Sequence, residues 1–297
     1  MCVILFPNLV YVKYFITLLF WLTIPYGADI ILYVAYWIMG DLNVGKIITF
    51  ANQKGGVGKT TSAVNIAAQA GAMGKKVLLV DNDPQGNATS AVGLFDKRNL
   101  KYSTYSTIIE PSTVRNAVQS TSFENLDVMP SNINLAGAEI EIIEFNDRHK
   151  RLKTALDQIK DEYDYIFIDC PPTLGLLTVN ALVASDGIII PMQCEYFALE
   201  GLAQLSVSIK KVKQMYNPQL ELVGILITMY NGRLNLSIQV MSELKKYYSD
   251  KLFKTVITRN VRLSEAPSYG KPIKYFDKYS KGSQAYEDVT KEILERI

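Results

Sequence analysis

Short apolar, β-branched runs alternate with amphipathic stretches from residue 46 to the end of this chain. The runs at 46–51, 77–80, 165–169, 187–192 and 222–229 are brief and nearly continuous in hydrophobicity. That pattern predicts strands buried on both faces of a parallel sheet. Between them, residues 60–72 repeat apolar positions at helical spacing, with Ala63, Ile66, Ala67 and Ala70 on one side. Further helices are predicted at 135–144, 152–159, 198–216, 236–248 and 285–297. Strands alternating with helices predict an α/β fold with a mainly parallel sheet flanked by helices on both faces. Neither an internal repeat nor a Gly/Ser linker interrupts this pattern, so 45–297 reads as one domain.

Residues 1–38 form a different texture, an apolar N-terminal extension whose only charges are Lys13 and Asp29. Two apolar runs, 14–24 and 30–39, are separated by Pro25, Gly27 and Asp29. Each is about half the roughly 20 residues that a membrane-spanning helix needs. A basic start and a small-residue cleavage site, the marks of a signal peptide, are missing. Three readings stand open: a distorted or paired membrane anchor, an expendable extension, or translation that begins at Met39. The last is favoured, because 39–45 would lead directly into the first strand.

The candidate chemistry begins where that strand ends. Lys54-Gly55-Gly56-Val57-Gly58-Lys59-Thr60-Thr61 joins strand to helix. Glycines let successive backbone N–H groups face one anion, and the helix N-terminus adds about half a positive charge there. Lys59 is expected on the β- and γ-phosphates of a nucleotide, and the Thr60 hydroxyl on Mg²⁺. The general pattern asks for Gly at position 53, where this chain has Gln53, and Lys54 is an additional cation. One nucleotide held from below does not need it. It makes sense if Lys54 serves a nucleotide held by a facing subunit.

Two acids follow at strand ends. The run 77–80 leads into Asp81-Asn82-Asp83-Pro84, and 165–169 ends in Asp169-Cys170-Pro171-Pro172. Such placements put carboxylates at the carboxyl edge of an open sheet, where α/β folds bind ligands. Asp169 is assigned to Mg²⁺, through water, and Asp83 to orienting the attacking water. Asp81 is left as a structural candidate.

Together with 52–61, 81–90 and 169–172, the segments 195–202 and 259–268 make the chain resemble the deviant Walker A ATPases of the ParA/MinD superfamily. Within these it is most similar to the ParA/Soj-type chromosome-partitioning ATPases, over about 85% of its length. The resemblance implies a P-loop NTPase-like fold, ATP and Mg²⁺ as cofactors, and an ATP-dependent homodimer. It further implies non-specific binding to double-stranded DNA in the ATP state, and a ParB-type partner that stimulates hydrolysis. It places the protein in the cytoplasm on the nucleoid, with membrane contact only if 1–38 is real. Lys54 becomes the lysine that reaches the opposite subunit's phosphates and acts like an arginine finger. Gly55, Gly56, Val57 and Gly58 would donate N–H groups, and Thr61 would meet the α-phosphate. Arg233 and Arg262 match basic residues used on DNA. The adenine pocket is expected at 228–231 and 258–260, including Asn260, although this chain has Thr258 where the family commonly has Pro.

Composition trims the alternatives. A net charge of +2 means any DNA surface is a local patch. The clusters Lys210, Lys211, Lys213 and Arg148, Lys150, Arg151, Lys153 read as solvated helix faces. Cys2, Cys170 and Cys194 lack metal-ligand spacing and form no disulfide framework. They are expected as reduced thiols, outside the surroundings that iron–sulfur members of the superfamily use. The single His149 reads as solvent-facing. A MinD-like membrane-cycling ATPase is the alternative function; it would end in a basic amphipathic helix, whereas residues 286–297 carry mixed charges. Intact Lys59, Asp83 and Asp169 argue against a non-catalytic scaffold. A plasmid-type partition protein with its own sequence-reading arm is disfavoured too, since no helix-turn-helix precedes the phosphate loop.

Overall fold

The computed structural model describes residues 45–297; the 1–38 extension and the Met39 start lie outside the described residues. The first strand, β1 (Lys46–Phe50), leads through the glycine loop into α1 (Lys59–Ala72) and then β2 (Val77–Asp81). Three short helices follow, α2 (Asn87–Ala91), α3 (Thr104–Ile109) and α4 (Val114–Ala117). A two-residue β3 (Gln119–Ser120), β4 (Leu126–Met129), α5 (Leu135–Glu141) and α6 (Arg151–Leu156) lead to β5 (Tyr165–Asp169). Then come α7 (Leu176–Ala184), β6 (Gly187–Gln193), α8 (Ala198–Met215), β7 (Glu221–Thr228) and α9 (Asn235–Tyr248). The chain closes with α10 (Val261–Glu265), α11 (Ile273–Phe276) and α12 (Lys281–Leu294).

The seven strands lie in the order β3-β4-β2-β5-β1-β6-β7. All pairs are parallel except β3 with β4. The expected α/β class is observed. Both faces of the strands are apolar because both are covered. Ile47, Leu78, Val80, Ile166, Ile168, Ile188 and Ile225 point to one side, against α6, α7, α8 and α9. Ile48, Phe50, Val77, Leu79, Phe167, Ile189 and Leu226 point to the other, against α1 and α12.

The strand order decides where the chemistry sits. β5 is inserted between β1 and β2, so Asp169 is in register with Phe50 on one side and Asp81 on the other. The glycine loop leaves β1 at that same edge.

Several predicted bounds move. The helix expected at 135–144 ends at Glu141, and the C-terminal one runs Lys281–Leu294 rather than 285–297. Tyr286, Val289 and Ile293 bury the apolar face of α12, and the Tyr286 hydroxyl meets Ser62 at 3.1 Å. The apolar stripe of that helix is therefore spent on α1, not left for lipid. No helix among the described residues is long and apolar enough to cross a membrane.

Candidate nucleotide-binding site

The glycine loop is held open by contacts from the far half of the chain. Gly58 adopts φ 83 at the cap of α1, a left-handed conformation that a side chain would strain. The Thr228 hydroxyl, at the end of β7, donates to the Val57 carbonyl at 2.7 Å. Gln193 at the end of β6 donates to the Gly56 carbonyl at 2.8 Å, and Asn52 donates to the Pro191 carbonyl at 2.8 Å. The Lys54 N–H is taken by Asn52 Oδ1 at 3.1 Å, but among the described residues the N–H groups of Gly55, Gly56, Val57 and Gly58 have no acceptor and are left for an anion.

Lys59 is buried, 6% exposed, and its ammonium donates to the Lys54 carbonyl at 3.1 Å, closing the loop on itself. Burial draws its pKa down, while Asp169, Cys170 and Asp83 work the other way. Asp169 is fully buried, and neither of its carboxylate oxygens has a hydrogen-bond partner. Its carboxyl is pushed well above the usual range by burial and by Asp81, with Thr60, close by, drawing it down. An orphaned buried carboxylate costs free energy unless something else compensates it. A divalent cation beside Thr60 fits that need. Among the described residues no cluster of three or more acids, cysteines or histidines forms a cage of its own. Mg²⁺ takes one or two protein ligands and completes its shell with phosphates and water.

Asp83 is buried as well; its carboxylate accepts the Gln85 N–H at 2.9 Å. Asp81 proves structural. It accepts from the Thr89 N–H at 2.7 Å, the Thr89 hydroxyl at 2.6 Å and the Asp83 N–H at 3.2 Å, and so folds the turn that carries Asp83. Burial raises its pKa to about 6 against those bonds. Lys54 reaches outward and forms an ion pair with Glu195, each side chain about half exposed. An exposed pair of this kind contributes less than about 1 kcal/mol, so a phosphate could displace it.

A family model described as an AAA domain matches residues 45–222. The Bacillus subtilis sporulation initiation inhibitor protein Soj is 54% identical over 250 residues, spanning 84% of this chain and 98% of its own. The chain belongs to the ParA/Soj family of chromosome-partitioning ATPases. The Myxococcus xanthus chromosome partitioning protein ParA is 46% identical across 86% of this chain and 90% of its own length. Cobyrinic acid a,c-diamide synthase from Mycobacterium smegmatis, solved with an ATP analogue and magnesium, superimposes with a TM-score of 0.74 at 35% identity. That match covers 85% of this chain and 95% of the other.

The remaining site residues of this ParA/Soj family member fall into two groups. Thr61 and Gly58 open onto a cavity of about 450 Å³, walled by Thr228, Ile257, Thr258 and Asn260. Asn260 caps α10 there by accepting the Arg262 N–H at 2.8 Å. The two DNA candidates lie outside this wall. Arg233 is exposed, while Arg262 pairs with Glu265 at 2.9 Å and Asp277 at 3.3 Å. Arg151 is no solvated cation: it donates to the carbonyls of Ile108 and Ile109 and pairs with Asp147. His149 keeps part of its surface exposed, as expected, but is not free. It is half-buried and stacks on Tyr216 with ring centres 4.4 Å apart. Cys170 and Cys194 are buried free thiols, and burial pushes Cys194 up to about 11. Sequence reasoning missed Glu195, Gln193 and the loop-bracing role of Thr228. Their only signal was position, just beyond or at the ends of β6 and β7.

Proposed function

We propose that this chain binds ATP with Mg²⁺, hydrolyses it, and uses the cycle to govern a homodimer that holds DNA without sequence preference. The observation that carries this reading is the convergence of buried Lys59 and unpartnered Asp169 on one glycine loop. Lys59 and the loop N–H groups would hold the phosphates. Thr60 and Asp169 would hold Mg²⁺, which offsets phosphate charge. Asp83 would orient the attacking water, and Lys54 would leave Glu195 to reach the nucleotide of a second copy. Thr61 and Asn260 would contact the nucleotide above the loop. Arg233 and Arg262 would meet DNA phosphates. A ParB-type protein would stimulate hydrolysis, in a cytoplasmic, nucleoid-associated role in partitioning chromosomes or plasmids. The resemblance to Soj and ParA proteins supports the family role, and the ATP-analogue complex of the diamide synthase supports the cofactors.

The test is binding of the full chain to duplex DNA of arbitrary sequence, with ATP and with ADP, over a salt series. ATP-dependent binding that weakens steeply with salt is expected. Equal binding in both nucleotide states, or none, would overturn the DNA switch. Binding to anionic vesicles in place of DNA would favour the MinD-like alternative.

A further inference from the structure

The turn that carries Asp83 has a second anchor, on the outside of the molecule. Gly86, three residues on, sits at φ 63, and a Cβ there would lie 2.7 Å from the Ser131 carbonyl and 2.9 Å from Lys97 Cδ. Lys97 thus packs directly over the turn. Its ammonium donates to the Gln85 carbonyl at 2.9 Å and to the Gly86 carbonyl at 3.0 Å. No carboxylate pairs with it among the described residues; its bonds are to the turn's own backbone. Its own backbone is held in turn, because the buried Asn132 donates to the Lys97 carbonyl at 3.0 Å.

Each anchor restrains a different part of the turn. Asp81 and Thr89 fix the inner side, where the chain leaves β2. Pro84 and Gln85 face a surface cavity of about 280 Å³ that Lys97 and Asn132 also line. Two charge-assisted bonds from one ammonium are strong for a surface loop. Gly86 is also tied by its N–H to the Asp83 carbonyl at 2.9 Å and by the Ser90 N–H on its own carbonyl at 3.1 Å. Without Lys97 the Gln85 carbonyl would lose its clamp, and the Gln85 N–H that fixes the Asp83 carboxylate would be freer to move.

We propose that Lys97 is a positioning residue for the Asp83 carboxylate, clamping the Gln85–Gly86 backbone that sets the direction of that carboxylate. This rests on the reading of Asp83 as the group that orients the attacking water. The hydrogen bonds of the Lys97 ammonium go to the Asp83 turn and that of its carbonyl to Asn132, and none goes to the phosphate loop, so its effect falls on the hydrolytic step and not on nucleotide affinity.

The test is steady-state ATP hydrolysis by the full chain carrying Lys97→Met, Lys97→Arg, Asp83→Ala and the Lys97→Met/Asp83→Ala pair. Nucleotide affinity is measured beside it. Lys97→Met is expected to lower kcat on the order of tenfold to a hundredfold, the scale of a misplaced catalytic group. KM and ADP affinity should stay at parental values, and Lys97→Arg should restore most of the rate. In the Asp83→Ala background, Lys97→Met should cost nothing further, whereas a merely structural lysine would add its own loss. Parental kcat in Lys97→Met with Asp83→Ala inactive overturns the clamp and leaves the Asp83 reading intact. Loss of affinity in step with rate, or additive losses in the pair, also overturns it. Parental turnover in Asp83→Ala removes both.

Discussion

Lys59 and Arg262 are both cations beside carboxylates, and the surroundings make them different instruments. Lys59 is buried at the sheet edge, bonded to a loop carbonyl, and within electrostatic reach of Asp169, whose carboxylate has no hydrogen-bond partner. Its charge lies in a region of low polarisability, where electrostatic interactions are strong and an unmatched group is costly. Arg262 is exposed and already neutralised by Glu265 and Asp277. Water screens it, and any phosphate must first compete with two carboxylates. Arg262 offers charge that ligand and salt can exchange.

This contrast can be broken at four points. The largest effect is expected at the buried end, where Asp83→Ala should slow hydrolysis by roughly 10² to 10⁴ while leaving ATP binding in place. Turnover assays paired with equilibrium binding check it, and parental turnover would remove Asp83 from the chemistry. Next, Lys59→Ala should weaken nucleotide binding on the order of a hundredfold, since a charge-assisted buried bond is lost. Calorimetric titration with ADP reads this directly; parental affinity would mean that the loop is not the phosphate site.

The third concerns pH. Asp81 has a folded pKa of about 6, above its ordinary value of 3.8. The folded chain therefore holds that proton more tightly than the unfolded chain. The associated stability is complete below the ordinary value and is lost as pH rises through about 6. Urea unfolding of the nucleotide-free protein should lose about 2 to 3 kcal/mol across that span, and Asp81→Asn should lose this part of the slope. A flat profile in the parent would remove the buried ionisation. The smallest effect belongs to the exposed face. Arg233→Ala and Arg262→Ala should each weaken DNA binding by about 1 kcal/mol or less and lower the salt slope by about 1. Arg262→Ala should do less, because its carboxylate partners already hold it. Anisotropy titrations that ranked Arg262 above Arg233 would reverse the comparison.

The same contrast explains what could be read in advance. The phosphate loop was legible because its residues are consecutive and its geometry is local. The strand-end positions of Asp81 and Asp169, with Asp83 two residues on, were legible because a hydrophobic run ending in an acid marks a strand end in a parallel sheet. The four-residue β4, with Asp127 inside it, is too short and too mixed to announce itself. Arg151 looked like a solvated cation and in fact stitches α6 to carbonyls more than 40 positions earlier. The stacking of His149 on Tyr216 was hidden for the same reason, because the two are distant in the chain.

By itself, then, the order of residues determined the loop, the helix that follows it, the strand-end acids and the α/β class. Those features depend on backbone conformation and on which faces are apolar, and both are written within a few residues of each other. Only the tertiary structure decided that β5 lies between β1 and β2, bringing Asp169 beside Asp81 and the loop. It alone joined Lys54 to Glu195, Thr228 to Val57 and Lys97 to the Asp83 turn. Those contacts close only when the sheet has assembled, because strand order is set by packing both faces at once, and no local pattern records the outcome.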